Sequence, residues 1–465
     1  MTTMSPAPGS PAPGSPAPTN RLTYDDDLFL RSQRVLGIPL VNQTVWRFPE
    51  PLDTDRLRTL HRRLATGPLG RRIVHSPVPG ARDRWVRSST SRPLGVRTTP
   101  VADDQVMAWA DEAARTPLDP AHGPTWALAA ATTASGEGLL SYLTSHVAAD
   151  GGMHLGAIAA AATGERGPRL PVDDLATAQT RWRDDLRDAA GQWRDAARGL
   201  VAWRRLQRDP APPMQAQQST DTPAAPPQPD DAVPHDPATV VVDCPAEQWH
   251  AAATAAGGTA NTLFVAICTE VLLASGRVEA GRPVRVALPV SLRGEGDLRS
   301  NASAGVSVAV PTAYVDGVGR VTDLAAVRAA SRAEFAALTA GTRRDDLAPL
   351  KPLMQLMPDA LARRVADHAA SPLALASNLG RLDPVVAAPT GVPCSSAMMR
   401  SVPQGVTRGA LRTRRGGVTS WWDEHDGTAT LVVVGLDPDR FPDAGTLRTW
   451  VADAYARWGL LPRFW

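Results

Sequence analysis

Apolar residues recur along this chain in two rhythms, short continuous runs of strand length and three-to-four-residue spacings of amphipathic helices. In the first half, three consecutive aspartates at Asp25–Asp27 precede Leu28, Phe29, Leu30 and Val35 and predict a helix start. A strand is predicted over 41–48, then a helix over 54–65 that places Leu57, Leu60 and Leu64 on one face. Residues 101–115 read as another helix. Runs at 127–133 and 139–143, joined through Gly136-Glu137-Gly138, read as a hairpin. An alanine-rich helix follows at 153–162. The stretch 175–208 is a long helical pattern whose stripe of Trp182, Leu186, Trp193, Leu200 and Trp203 is expected in the core, with a lipid surface as the other reading.

The second half repeats the alternation. Strands are predicted at 239–243, 284–290, 304–310, 372–377, 418–422 and 428–435, the last two joined at Asp426-Gly427. Helices are predicted at 245–255, 262–274, 322–339, 350–369 and 444–457. The helix at 262–274 is almost free of charge and is expected to be buried on most sides. Both halves therefore mix strands and helices, which implies an α+β, α/β-sandwich class with helices layered on sheets.

Length and composition set the frame. At 465 residues the chain exceeds one compact core and suggests two units of roughly 200 residues. Residues 1–19 repeat Ser, Pro, Ala and Gly and are expected to be a disordered tail; 209–238, rich in Pro, Gln and Asp, reads as a linker or crossover. The division is then 20–208 for one lobe and 239–465 for the other. A net charge of +2 gives no electrostatic footprint for nucleic acid. Lys351 is the only lysine, a bias without functional meaning here. Cys244, Cys268 and Cys394 stand apart without CxxC spacing, which argues against a zinc site or a disulfide framework and fits a reducing compartment. With no apolar run of membrane-spanning length and no signal-peptide pattern, a cytoplasmic monomer is expected, peripheral membrane contact left open.

One stretch carries chemistry. Ser141-Tyr142-Leu143-Thr144-Ser145-His146-Val147-Ala148-Ala149-Asp150-Gly151-Gly152 ends a predicted strand in an HxxxDG pattern. Imidazole titrates nearest neutrality, so a histidine at a strand end is a candidate general base. Asp150 can return to the same side after one tight turn, for which Gly151 and Gly152 supply backbone freedom. Taken alone, the hexapeptide fits a satisfied structural histidine better. His154, on the following helix, is expected to pack. Asp423-Glu424-His425-Asp426 has the residue types of a metal site, but consecutive spacing at a hairpin favours a solvated turn, and no metal is expected.

Other segments change the balance. Pro117-Leu118-Asp119 with Gly123-Pro124-Thr125-Trp126 precedes the HxxxDG hairpin. Asn261-Thr262 enters the buried helix. Pro289-Val290-Ser291-Leu292-Arg293 is followed by Asn301, and Ser377-Asn378-Leu379-Gly380 comes later. In this order they resemble the chloramphenicol-acetyltransferase-like, thioester-dependent acyltransferases, a superfamily of peptide-synthetase condensation domains, polyketide-associated acyltransferases and bacterial wax ester synthase/diacylglycerol acyltransferases. The resemblance spans Asp25 to the C-terminus. It departs where Ser145 stands in place of a first histidine, Thr262 in place of an aspartate, and SNLG in place of SNVPG.

The resemblance implies two similar lobes forming a pseudo-dimer with a tunnel between them, and His146 as catalytic base. It implies that Asp150 is a structural aspartate paired with an arginine, for which Arg293 is the candidate, and that Asn261, Ser377 and Asn378 line the tunnel. A backbone N–H near Gly151 or Gly152 is a candidate oxyanion donor. No bound cofactor is implied; acyl-CoA or an acyl-carrier-protein thioester is the co-substrate and an alcohol the acceptor. Lipid, glycolipid and polyketide alcohols are the acceptors considered, with the lipid branch favoured by the PVSLR-type segment. An amide-forming condensation enzyme is the alternative within the class, and a non-catalytic docking module the alternative outside it. No carrier or adenylation segment adjoins these residues, which leans the expectation toward ester formation.

Overall fold

Two mixed sheets carry the molecule, each built around strands that the apolar runs predict, with Ser396–Pro403, Gly95–Val96 and Arg463–Phe464 added at their edges. The computed structural model describes residues 20–165, 170, 175–208, 228–278, 283–294, 296–342, 347–367 and 373–465. The expected tail at 1–19 and most of the expected linker, residues 209–227, lie outside the described residues.

The first sheet has the strand order Ser396–Pro403, Leu40–Phe48, Gly138–Ser145, Trp126–Thr132, Gly95–Val96. All its pairs are antiparallel except the short edge pair at Gly95–Val96. The second sheet runs Arg463–Phe464, Ala238–Pro245, Thr428–Gly435, Val418–His425, Ala374–Arg381, Val284–Ser291, Ser303–Val310. Here Ala374–Arg381 pairs in parallel with both of its neighbours. Helices cover one face of each sheet, giving a two-lobed α/β sandwich.

The strand Ser396–Pro403 belongs by sequence to the second half yet completes the edge of the first sheet against Leu40–Phe48. The boundary read at 209–238 is therefore crossed once. Between the sheets, Val45, Val106, Trp109 and Leu139 of the first half share one buried cluster with Val241, Trp421, Val432 and Val434 of the second. The two lobes thus share core as well as chain.

The apolar helix Ala260–Ala274 is buried at every position from Thr262 to Leu272, as its composition predicts. Its one carboxylate, Glu270, accepts from the Val321 N–H at 2.9 Å and from Trp458 Nε1 at 3.2 Å, and pairs with Arg457 at 3.1 Å. Burial still raises its pKa. The expected helix 350–369 is instead two, Lys351–Gln355 and Asp359–Asp367, broken at Pro358, whose ring and missing N–H interrupt the helical ladder.

Two further expectations are corrected. In the helix Leu175–Arg208 the tryptophan stripe is not core: Trp182 and Trp193 are 51% and 58% exposed. The face turned inward carries Asp185, Ala189, Gln192, Ala196 and Gly199. Asp185 meets Arg21 at 2.7 Å and Arg84, and Asp188 meets Arg82 at 2.7 Å. Small side chains admit close packing there, Asp185 finds two buried arginine partners and Asp188 the half-buried Arg82, so the bulky residues are turned outward.

The second correction concerns Asp423-Glu424-His425, which is not a solvated turn. The strand Val418–His425 continues through it, all three side chains are buried, and only Asp426-Gly427 forms the turn. Alternation puts Asp423 and His425 on one face, where Asp423 Oδ1 lies 3.2 Å from His425 Nδ1. Glu424, on the other face, meets Arg381 at 2.8 Å and His250 at 2.7 Å.

Burial works against the His425 cation, but the Asp423 carboxylate, joined by the Cys394 sulfur, outweighs it and raises the imidazole to about 10. A raised histidine stabilises the fold fully below its ordinary value of about 6.5 and loses that contribution as pH climbs through the folded value. The melting temperature of the wild type should therefore fall between pH 8 and pH 10.5 more steeply than that of His425→Gln. Parallel curves for the two proteins, followed by circular dichroism, would contradict the pairing.

Candidate active site

The HxxxDG segment folds as strand, turn and helix. Gly138–Ser145 is buried throughout, held between Leu40–Phe48 and Trp126–Thr132. At its end the Ser145 carbonyl accepts from the N–H groups of Ala148 and Ala149 at 2.9 and 3.1 Å, which turns the chain sharply. The His146 N–H is tied to the Leu40 carbonyl at 2.9 Å, and Asn42 Nδ2 donates to the Ala149 carbonyl at 2.8 Å. Val147, Ala148 and Ala149 fill the first-lobe core. Asp150 then caps the helix Gly151–Thr163, its Oδ1 accepting from the Met153 N–H at 2.8 Å.

Asp150 also reaches the other lobe. Arg293 Nη2 lies 2.9 Å from Asp150 Oδ1, and the Ala302 N–H donates to Oδ2 at 2.7 Å. The Asp150 N–H donates to the Ser300 carbonyl at 2.9 Å. Arg293 is itself fixed by the carbonyls of Asp297 and Arg299 at 3.0 and 2.8 Å. Gly152 is placed by close approach and not by the backbone freedom expected of both glycines, while a Cβ at Gly151 would meet only ordinary contacts. Neither adopts a positive φ; both belong to the first helical turn. A Cβ at Gly152 would come within 3.3 Å of Arg293 Nε and 3.4 Å of Ser291 Oγ, so a side chain would crowd the ion pair. Asp150 takes the N–H groups of Met153 and His154, leaving those of Gly151 and Gly152 as donors at the open end of the helix.

The His146 ring is partly accessible and stacks on Phe29, with centroids 3.9 Å apart and an interplanar angle of 30°. Nδ1 is buried without a hydrogen-bond partner among the described residues. Burial lowers the imidazole pKa below its ordinary 6.5, opposed by its own backbone carbonyl, the Asp150 charge and Asn301. His146 is therefore neutral at pH 7, the form a general base requires.

Asn301 is placed behind the histidine. Its Nδ2 donates to the His146 carbonyl at 3.1 Å and to Asp26 Oδ1 at 2.8 Å. Asp26 is buried in the helix Tyr24–Leu36 and also accepts from the Asn301 N–H at 3.1 Å and Trp85 Nε1 at 3.3 Å. Its pKa is raised by burial and held back by these donors. Beside it, buried Arg71 donates to Ser300 Oγ at 2.9 Å and to the Leu298 carbonyl at 3.2 Å. Sequence reasoning missed Phe29, Asp26 and Arg71. The spacing Thr23-x-x-Asp26 marks a helix cap and Asp26 does fill that role, but nothing in the sequence signals its second bond across the lobes.

His154 is a packing residue. Its ring nitrogens meet Thr44 Oγ1 and Thr144 Oγ1, each at 2.8 Å, and burial first, then the nearby His146, drives its pKa down to about 3. Asn261 and Asn378 are brought together, Asn378 Nδ2 donating to Asn261 Oδ1 at 2.9 Å. Both line a cavity of about 550 Å³ on the helix-covered side of the second sheet, and Ser291 lies in the same wall. Ser291 borders Gly152, so the cavity reaches the HxxxDG segment. Ser377 does not line it; it pairs with Trp421 on the opposite face, toward the inter-lobe cluster.

No protein-family profile and no curated protein matches the chain. Solved structures do. The first condensation domain of the calcium-dependent antibiotic synthetase, in complex with a substrate analogue, is similar with a TM-score of 0.57 at 16% identity, over 95% of this chain and 97% of that one. The wax ester synthase/diacylglycerol acyltransferase of Marinobacter aquaeolei VT8 is similar with a TM-score of 0.54 at 15% identity, over 95% and 100% of the two chains. Polyketide synthase associated protein 5 of Mycobacterium tuberculosis gives 0.54 at 14%, over 95% and 99%. All three share this chain's two-lobed fold over nearly its whole length.

The geometry separates the two motif residues by experiment. Asp150→Ala leaves the half-buried Arg293 and the buried Met153 and Ala302 N–H groups without their acceptor and should cost about 3–5 kcal/mol in urea unfolding. His146→Ala, at a residue that is only partly buried and whose Nδ1 has no partner among the described residues, should leave the unfolding midpoint nearly unchanged. Equal losses from both substitutions would refute this division of roles.

Proposed function

We propose that the chain is an acyltransferase that moves an acyl group from a coenzyme A or carrier-protein thioester to a hydroxyl acceptor. The observation that carries the reading is His146: an imidazole kept neutral by burial and steadied by Phe29, between two lobes that meet at Asp150 and Arg293. The acceptor O–H gives its proton to Nε2 as the oxygen attacks the thioester carbonyl carbon. The resulting oxyanion is met by the Gly151 and Gly152 N–H groups, which the helix N-terminus aims outward. Collapse breaks the carbon–sulfur bond, and the thiolate takes the proton back from Nε2. Proton and acyl group are both accounted for without a side-chain nucleophile, so no acyl-enzyme forms. Asp150 and Arg293 position the turn and do not touch the reacting atoms.

Amide formation on an amine acceptor is the second reading, supported by the similarity to a condensation domain and by Ser377-Asn378-Leu379-Gly380. The alanine-rich helix Gly151–Thr163 and the PVSLR-type segment support an apolar acyl donor and a lipid alcohol. Each methylene buried along an apolar channel would contribute about 0.8 kcal/mol, so activity should rise with donor chain length.

The test is free-thiol release from an acyl-CoA length series with an alcohol and an amine offered in competition. Ester as the main product, favoured by longer donors, is expected, and His146→Ala should abolish release. Amide as the main product would replace the hydroxyl reading with the condensation one. A mutant retaining half the activity would remove His146 from the mechanism.

The pH profile gives a second check. Because burial lowers the His146 pKa, kcat/KM should be flat from neutral pH downward and fall only below 6.5. An acid limb centred above 6.5 would mean that Asp150 outweighs burial.

A further inference from the structure

The outward stripe of the helix Leu175–Arg208 is unexplained by acyl transfer. Trp182, Leu186 and Trp193 are 51%, 49% and 58% exposed and fall within about 40° of one another around the helix. The next sector round carries Arg183, Arg187, Arg194 and Arg198, all exposed. Among the described residues Arg187 and Arg198 are opposed only by Asp184 and Asp195 on the same helix, at 3.0 and 3.7 Å, and Arg204, Arg205 and Arg208 extend the positive charge to the end. The inward face is fixed by the pairs of Asp185 and Asp188 with Arg21, Arg84 and Arg82, so the stripe cannot turn in without breaking buried ion pairs.

We infer that this stripe docks the protein on an anionic lipid bilayer. Tryptophan beside arginine on one side of a helix matches the bilayer boundary, where the indole sits at headgroup level and the guanidinium groups meet lipid phosphates. The protein's overall charge is only +2, so the local excess of arginine is a feature of this helix and not of the whole surface.

The position of the stripe supports the same occupant. A Cβ at Gly80 would lie 2.8 Å from Trp193 Nε1 and 3.3 Å from Leu356, which sets Trp193 against the segment after the helix Lys351–Gln355. That segment is bound to the helix Tyr24–Leu36: Arg31 donates to the Gln355 carbonyl at 2.6 Å, and Tyr24 Oη approaches Met354 Sδ at 3.5 Å. The same helix stacks Phe29 on His146 and leaves Leu28 exposed. Docking would therefore bring the approach to His146 near the lipid.

The test is co-sedimentation of the full chain with phosphatidylcholine vesicles, with and without phosphatidylglycerol, at low and high salt. Wild type should partition onto the anionic vesicles and release with salt. Trp182→Ser/Trp193→Ser and, separately, Arg187→Gln/Arg194→Gln/Arg198→Gln should each weaken partitioning about tenfold while keeping the wild-type melting temperature. Thiol release with a water-soluble short acyl thioester should be unaffected, so binding is scored independently of catalysis. Three results would overturn the inference: no binding, equal binding to neutral vesicles, or full binding by both variants. A dimer in gel filtration that the tryptophan variant dissolves would assign the stripe to a second copy of the chain instead.

Discussion

The structure depends on one carboxylate. Asp150 caps the helix Gly151–Thr163 through the Met153 N–H, takes the Arg293 guanidinium at 2.9 Å, and receives the Ala302 N–H at 2.7 Å. Each bond belongs to a different segment: the helix after the histidine turn, the residues just after the strand Val284–Ser291, and the residue just before the strand Ser303–Val310. One side chain thus fixes the histidine turn of the first lobe to a loop of the second. A buried charge with three donors is a strong constraint because removing any one leaves a desolvated group unpaired.

Asp26, Arg71 and Asn301 extend that constraint around His146. Asp26 binds both nitrogens of Asn301, Arg71 binds Ser300 and the Leu298 carbonyl, and Asn301 returns to the His146 carbonyl. The loop from Arg293 to Ala302 is therefore gripped on both sides by first-lobe residues. Its backbone and that of the histidine turn share hydrogen bonds, so the His146 imidazole is positioned by both lobes together. The strand Ser396–Pro403, which crosses into the first sheet, and the apolar cluster between the sheets hold the same relation at longer range. Neutral imidazole, helix-end donors and a fixed inter-lobe loop form one unit, and the reaction proposed needs all three.

Much of this was legible in the sequence because it rests on local patterns. The strand Leu40–Phe48, the helices Thr54–Thr66 and Ala444–Arg457, and the hairpin carrying His146 follow from periodicity and turn residues. The Asp150–Arg293 contact was reached through the resemblance and not through spacing, since 143 residues separate the two side chains. What local pattern misreads is pairing across space. Asp185 and Asp423 look like surface residues until their arginine and histidine partners are brought to them. Once the aspartates face inward, Trp182 and Trp193 must face out. The edge strand Ser396–Pro403 is apolar only in part, Ala397 to Met399 being followed by buried Arg400, whose partners Gln43 and Asp111 are distant in sequence.

The central claim is that Asp150 and Arg293 act as one unit that holds the His146 turn between the lobes. A double-mutant cycle on Asp150→Ala and Arg293→Ala, measured by urea unfolding and by thiol release, tests it most directly. The account requires the double mutant to be little worse than Asp150→Ala alone, a coupling of about 1.5 kcal/mol or more, with transfer lost in all three variants although His146 is intact. Losses that add to within about 0.5 kcal/mol, or wild-type transfer in Arg293→Ala, would contradict it.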